Sequence, residues 1–257
     1  MSKIEAVIFD WAGTTVDYGC FAPVQAFVEA FKEFGIEPTM EEVRKPMGML
    51  KIDHIRTMMQ MDRIDTLWKE KQGRDWSEED VKTIYGKMEA MTMKILPNFV
   101  DVKPYVLETI EKLREMGIKI GSTTGYTDEM MSIVVPAAKA NGYDPDVWFS
   151  PNSAGNVGRP YPYMMFRNME ALHVSDVRKV IKVGDTVADI KEGKNAGVIT
   201  VGVVEGSSVM GYTQAEYEAL TEEEKEQECK RAAKIFEETG ADYVIKDMRG
   251  LLELIGR

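Results

Sequence analysis

Five short apolar runs constrain this chain more than any other feature. They are IEAVIF (4–9), IKIGST (118–123), VIKVGD (180–185), VITVGVV (198–204) and DYVIKD (242–247). Each has the length of a strand, and a strand covered on both faces reads as a near-continuous apolar run. Between them lie patterns of helical period: VLETIEKLREMG (106–117), TDEMMSIVVPAAKANG (127–142), YMMFRNMEALHV (163–174) and ADIKEGKNAG (188–197). Strand–helix alternation over residues 100–257 demands right-handed crossovers, so the expected class is α/β with a parallel sheet.

Residues 21–98 break that rhythm. APVQAFVEAFKEFG, KIDHIRTMMQM and SEEDVKTIYGKMEAMTMKIL read as helices, the last opening on a capping box formed by Ser77 and Asp80. An all-helical block inserted after the first strand predicts two domains: a core of residues 1–18 and 99–257, and a helical cap of residues 19–98. The cap is expected over the carboxyl end of the sheet, where open α/β sheets bind ligands. Tyr18-Gly19 and Pro97-Asn98 are the expected linkers, and a pair of linkers suits a cap that closes over its ligand. Farther on, TEEEKEQECKRA (221–232) begins with a second capping box, Thr221 with Glu224, and reads as a solvated helix.

With 257 residues, 44% of them hydrophobic, the chain can bury a real core. Its net charge of −11 argues against nucleic acid or an anionic membrane as partner. A phosphate-bearing substrate therefore needs a local positive site. Two cysteines, Cys20 and Cys229, provide neither a disulfide framework nor a four-cysteine zinc site, and fit a reducing compartment, the cytoplasm by default. No basic-then-apolar leader occurs, and no apolar run approaches the roughly 20 residues that span a bilayer.

The chemistry-bearing residues stand where the predicted strands end. Asp10 follows the first run. Alone it could simply cap a turn, but Gly13 and Thr14 come next and their backbone amides could form an anion-binding nest. Thr124 follows the second run, with a hydroxyl suited to a phosphoryl oxygen. Arg159 lies in the GRPYP loop before a helix, and Asp185 ends another strand with Asp189 four residues later. Carboxylates so arranged suit a hard, oxygen-preferring cation, Mg²⁺.

This ordered set resembles the haloacid dehalogenase superfamily over nearly the whole chain, through FDWAGT, the strand-end threonine, a basic residue and GDTxxD. The resemblance implies a Rossmann-like core and an aspartate nucleophile that becomes phosphorylated. Asp10 would then attack phosphorus and Thr124 would hold phosphoryl oxygens. Asp10 and Asp185 would bind the metal, with Asp189 binding it directly or through water, and Arg159 would replace the usual lysine. One position departs from the pattern. Most phosphatases of that superfamily carry a second aspartate two residues after the nucleophile, as general acid for a poor leaving group. Here that position is Ala12. Its backbone carbonyl can still face a metal, but it cannot donate a proton.

A carbon leaving group asks instead for an electron sink, which a lysine supplies by forming an iminium with an adjacent aldehyde. The cap holds a candidate in RKPMGMLKIDH: Lys51 follows an apolar stretch and starts a predicted helix, with His54 three residues on and on the same face. A lysine is ordinarily a solvated surface charge, but burial on closure would depress its pKa toward the nucleophilic form. FDWAGTTVDYGCFAP, KPMGMLKIDH, IGSTTGYT, GRPYP and KVGDTVADIKEG together resemble the phosphonoacetaldehyde hydrolases, or phosphonatases. That narrower resemblance implies hydrolysis of phosphonoacetaldehyde to acetaldehyde and phosphate with Mg²⁺, through a Schiff base on Lys51, with His54 moving protons.

The resemblance also puts Met47 and Cys20 near the active site, where composition alone would read them as packing. Gly48 is expected to let backbone approach the ligand, and Tyr126 either lines the pocket or packs beside the second strand. His173 is expected to be structural or exposed. Analogy, with the methionines clustered in the cap, suggests a homodimer through cap helices. Two other readings stay open at this point: a phosphatase or phosphomutase acting on a C–O ester, and a non-enzymatic phosphate-binding module.

Overall fold

The computed structural model describes residues 3–256. The first run forms β1 (Ala6–Phe9), buried at every position. Five helices follow before the next strand: α1 (Phe21–Lys32), α2 (Met40–Arg44), α3 (Lys51–Met59), α4 (Asp62–Gln72) and α5 (Glu78–Ile95). The chain then alternates through α6 (Val106–Glu115), β2 (Lys119–Thr123), α7 (Asp128–Ala140), β3 (Val147–Phe149), α8 (Tyr163–Ala171), β4 (Val180–Gly184), α9 (Val187–Ala196) and β5 (Ile199–Val203). It ends with α10 (Gln214–Ala219), α11 (Glu222–Thr239), β6 (Tyr243–Ile245) and α12 (Arg249–Ile255).

The sheet is parallel throughout, in the order β3-β2-β1-β4-β5-β6. The order reverses beside β1, which places the topological switch point at the carboxyl end of β1 and β4. Phe9 pairs in register with Val183 on one side and Ser122 on the other. Asp10, Thr124 and Asp185 therefore emerge at one level from three adjacent strands. The sequence reading missed β3, α10 and α12, and within the helical block it assigned no separate helix to the α2 and α4 stretches.

The helices α1 to α5 enclose an apolar cluster of their own, with Phe27, Phe31, Ile55, Met58, Trp68 and Met88 at its centre. Met47, Met58, Met59 and Met88 are buried in this cluster. The sheet's main cluster is built from Phe9, Trp11, Ile120, Val183 and Val201. Local capping follows the sequence: the Ser77–Asp80 box starts α5, and the Thr221–Glu224 box starts α11. Asp17 caps α1 from outside, its carboxylate accepting from the Phe21 and Ala22 amides at 3.0 Å each. Gly19 donates to the Gly206 carbonyl, and a Cβ there would lie 2.3 Å from the Tyr212 carbonyl oxygen, so the outgoing strand–helix connection is clasped by the 205–212 loop. His173 is exposed at the end of α8.

Candidate active site

Asp10, Asp185 and Asp189 bring ligand oxygens within 4.8 Å of one another, all three residues buried. Burial, followed by the neighbouring Asp10 and Asp189 charges, pushes the Asp185 carboxyl well above its usual range. Burial also raises Asp10, against the pull of Arg159. Three buried carboxylates with hard oxygen donors form a set that a divalent cation would stabilise by cancelling their repulsion. Asp185 is aimed by Thr14, whose hydroxyl donates to it at 3.0 Å, and by the Ser208 amide at 2.7 Å. Gly13, at φ 87°, lets that carboxylate come close: a Cβ there would lie 2.1 Å from Asp185 Oδ2. The Ala12 carbonyl, beside Asp10 and lining the same cavity, accepts no hydrogen bond among the described residues, so it is free to face a cation.

Asp189 has a divided role. As the third residue of α9 it closes a capping box, accepting from Thr186 Oγ1 at 2.6 Å and from the Thr186 amide at 3.2 Å. Its other oxygen lies 3.1 Å from Arg159 Nη1 and 3.0 Å from Lys182 Nζ. Those two cations and Thr186 outweigh its burial and keep its carboxyl below the usual range.

Arg159 reaches from the loop before α8 to Asp10. Its Nη2 donates to Asp10 Oδ1 at 2.6 Å and to Thr123 Oγ1 at 2.7 Å, and its Nε donates to Glu192 at 3.0 Å. Burial opposes its charge, but Asp10, Asp189 and Glu192 hold it protonated. Lys182, fully buried in the middle of β4, donates to Thr123 and faces Asp189 and Glu192. The sequence reading missed Lys182, Glu192 and Thr123. It had one usable signal: a lysine inside a strand otherwise buried on both faces must have partners.

One expectation is corrected. The Gly13 and Thr14 amides are not free for an anion, because Gly13 donates to the Val16 and Asp17 carbonyls and Thr14 to the Trp11 carbonyl. Both residues act on Asp185 instead. The amides of Trp11, Ala12 and Gly125, at the ends of β1 and β2, have no acceptor among the described residues and are the available donors. Lys103, also missed, stiffens the Gly13 turn: its ammonium donates to the Gly13 carbonyl, and to the Glu205 and Gly206 carbonyls at 2.9 Å each. Burial brings its pKa down to about 8.

From the helical side, α3 begins at Lys51 and points its amine at this constellation. Asp10, Ala12, Cys20, Met47, Gly48, Lys51, Thr124, Gly125, Tyr126, Arg159 and Thr186 line a single cavity of about 20 Å³. Lys51 is buried, makes no hydrogen bond or ion pair among the described residues, and lies 5.0 Å from the Tyr126 ring centroid and 5.7 Å from that of Phe27. Burial, the largest cause, lowers its pKa against the opposing Asp10 charge. Burial likewise pushes the Cys20 thiol up, leaving it neutral. Gly48, at φ 86°, presses the segment before α3 onto the core, where a Cβ would lie 2.4 Å from Thr186 Oγ1. His54 lies one turn beyond Lys51, stacked on Phe27 at 3.8 Å between centroids, and is absent from the cavity wall. Neither of its ring nitrogens makes a well-formed hydrogen bond, though the Val43 backbone is close by. Burial and then the Lys51 charge keep the ring neutral.

A Rossmann-ordered sheet with carboxylates at the ends of β1 and β4 and a strand-end threonine on β2 defines a class. The family model for haloacid dehalogenase-like hydrolases matches residues 4–197, and the chain belongs to that family. Its likeness is narrower still. The chain is 52% identical over 253 residues to a phosphonoacetaldehyde hydrolase from Lysinibacillus sphaericus, covering 98% of this chain and 94% of that protein. It is also 52% identical to a bifunctional phosphonoacetaldehyde hydrolase/aminoethylphosphonate transaminase from Clostridioides difficile, of which it spans 40%. A crystal structure of a phosphonoacetaldehyde hydrolase-like protein from Oleispira antarctica superposes with a TM-score of 0.96 at 38% identity, covering 99% of this chain and 92% of that one. Among the described residues no helix is long and apolar enough to cross a membrane.

Proposed function

We propose that the chain hydrolyses the C–P bond of phosphonoacetaldehyde, giving acetaldehyde and phosphate, with Lys51 as the electron sink and Asp10 as the nucleophile. One observation carries the mechanism: a buried, unpaired amine shares a cavity with the strand-end carboxylate, beside an alanine where an ester phosphatase needs an acid. On this reading the α1–α5 block, residues 19–98, is the cap, and residues 1–18 with 99–257 are the catalytic core. Two separate apolar clusters support that division.

Lys51 condenses with the aldehyde, losing water to form an imine. His54, neutral and one helical turn beyond Lys51 behind the cavity wall, moves protons in that step through water. The Asp10 carboxylate attacks phosphorus, and the electron pair of the breaking C–P bond flows through carbon to the protonated imine nitrogen. An aspartyl phosphate and an enamine result. Water hydrolyses the acyl phosphate; the enamine takes a proton on carbon, and hydrolysis of the imine releases acetaldehyde. Thr124, Arg159 and the Trp11, Ala12 and Gly125 amides hold the phosphoryl oxygens, with charge complementarity as the main demand. Met47, Gly48, Cys20 and Tyr126 enclose the aldehyde end and exclude water.

The carboxylates of Asp10 and Asp185, the Ala12 carbonyl, and Asp189 directly or through water, would hold Mg²⁺. When bound it supplies charge neutralisation between the nucleophile and the phosphonate. A second copy would pack on the cap helices, where Met40 is exposed and Met61 and Met91 are half-buried; sedimentation of the purified protein tests this.

Borohydride reduction with and without phosphonoacetaldehyde, followed by peptide mass mapping, tests the central claim. A substrate-dependent adduct on Lys51 is the expected result. An enzyme that turns over the substrate without any such adduct refutes the imine.

A further inference from the structure

A second, larger cavity of about 150 Å³ lies outside the catalytic one, along the seam between the helical block and the sheet. Its wall is Lys45, Pro46, Met47 and Met49 on one side and Pro160, Val187, Ala188 and Lys191 on the other. Met47 belongs to both cavities, and Thr186 of the inner wall is followed directly by Val187 and Ala188 of the outer one. The partition is thin: a Cβ on Gly48 would lie 2.4 Å from Thr186 Oγ1 and 3.0 Å from the Ala188 Cβ. The Met47–Gly48 segment, pressed against the start of α9, lies between the two spaces.

The charge of this outer wall is unusual for the molecule. The chain carries a net charge of −11, yet the cavity is lined by two lysines and no carboxylate. Lys45 and Lys191 are both exposed, and neither has an ion pair or hydrogen bond among the described residues. An unpaired ammonium keeps its full field for a ligand, and a cleft concentrates it. The inner cavity of about 20 Å³ has no room for an intact substrate without movement of its walls, so a substrate must wait outside until the seam parts.

We propose that this cavity is the vestibule of the active site, and that Lys45 and Lys191 draw the dianionic phosphonate group to it before the Met47–Gly48 segment opens. The inference rests on the proposed function, because it needs a phosphonate as substrate and Lys51 as the amine. Neither lysine touches the reacting atoms. Their contribution is to capture, so it should appear in kcat/KM, depend on salt, and vanish for an uncharged ligand of the same amine.

The test compares wild-type enzyme with K45E/K191E, using two small molecules. For phosphonoacetaldehyde, the double variant should lose about tenfold or more in kcat/KM at low ionic strength, the smaller end of the range for electrostatic steering. That gap should narrow as salt screens the charges. For acetaldehyde, which is neutral, borohydride inactivation through Lys51 should proceed at the wild-type rate. K45Q/K191Q should fall between the two, and carries the test if charge reversal impairs folding. Unchanged kcat/KM in both double variants overturns the proposal, as does a parallel loss of acetaldehyde-dependent inactivation, which would mean the lysines act on the Lys51 site itself. If the wild-type protein forms no acetaldehyde adduct on Lys51, the imine reading fails, a result distinct from either of these.

Discussion

Arg159 Nη2 sits 2.6 Å from Asp10 Oδ1, and the same guanidinium spends its other nitrogens on Asp189 and Glu192. The proposed nucleophile is thus oriented by a cation that is itself fixed on two further sides. Lys182 and Thr123 complete the cluster, so no single charge in it is left to water.

Arg159→Met should therefore damage both chemistry and folding. Breaking a buried pair by removing one partner costs about 3–5 kcal/mol, and Asp189 and Glu192 would keep Lys182 as their one cationic partner among the described residues. The loss of a donor facing the phosphoryl group should lower kcat by about 10²–10³. Urea unfolding and steady-state kinetics would read the two effects separately. A variant with native stability and native kcat would show that the cluster is dispensable.

Lys51→Arg keeps a positive charge and nearly the same reach but cannot form an imine. Turnover should fall below detection while the fold persists. Reduction by borohydride in the presence of substrate should leave no adduct on the variant. Measurable C–P cleavage by this variant would remove Lys51 from its role as sink.

The depressed pKa of Lys51 makes a prediction with a definite sign. Burial favours the free amine, so acetaldehyde-dependent borohydride trapping should rise with pH through a midpoint below 10.5, the ordinary lysine value. Ala12→Asp would add a carboxylate to the same cavity and favour the ammonium, moving that midpoint upward. The same shift has a cost in stability. Between the folded and unfolded pKa values the unfolded chain binds more protons, so this residue's contribution to stability rises with pH and is least favourable below the folded value. Lys51→Met should then be inactive but raise Tm at neutral pH, and the gain should disappear above pH 10.5.

The parts of this fold legible in the sequence are those with strong periodicity. β1, β2, β4 and β5 are apolar runs closed by polar residues, and α5 and α11 announce themselves through capping boxes. β3 is three residues, Val147–Phe149, too short to show any period, and only its pairing with β2 makes it a strand. The catalytic candidates were legible because strand ends at a switch point are where such residues must stand. Lys182, Glu192 and Lys103 were not, because sequence shows charges without showing which are buried together. Gly13 and Thr14 illustrate the converse: the loop composition of a nest was visible, but not that its amides are already spent on neighbouring carbonyls.

Gly13 offers the sharpest separation of the proposed metal site from the amine. A methyl group there would stand 2.1 Å from Asp185 Oδ2, on a backbone at φ 87° that an L side chain resists. Asp185 must move, and with it the Thr14 and Ser208 contacts that aim it. Disturbing the aim of a metal carboxylate typically costs 10- to 100-fold in affinity, so Gly13→Ala should raise the Mg²⁺ concentration for half-maximal activity by about that factor. Lys51 belongs to another element, α3, and its condensation with acetaldehyde needs no metal. Borohydride trapping should therefore stay at the wild-type rate in Gly13→Ala, as it should in wild-type enzyme treated with a chelator. If trapping and Mg²⁺ dependence fell together, the amine and the carboxylate cluster would have to form one unit, and the division of labour between helical block and sheet would be wrong.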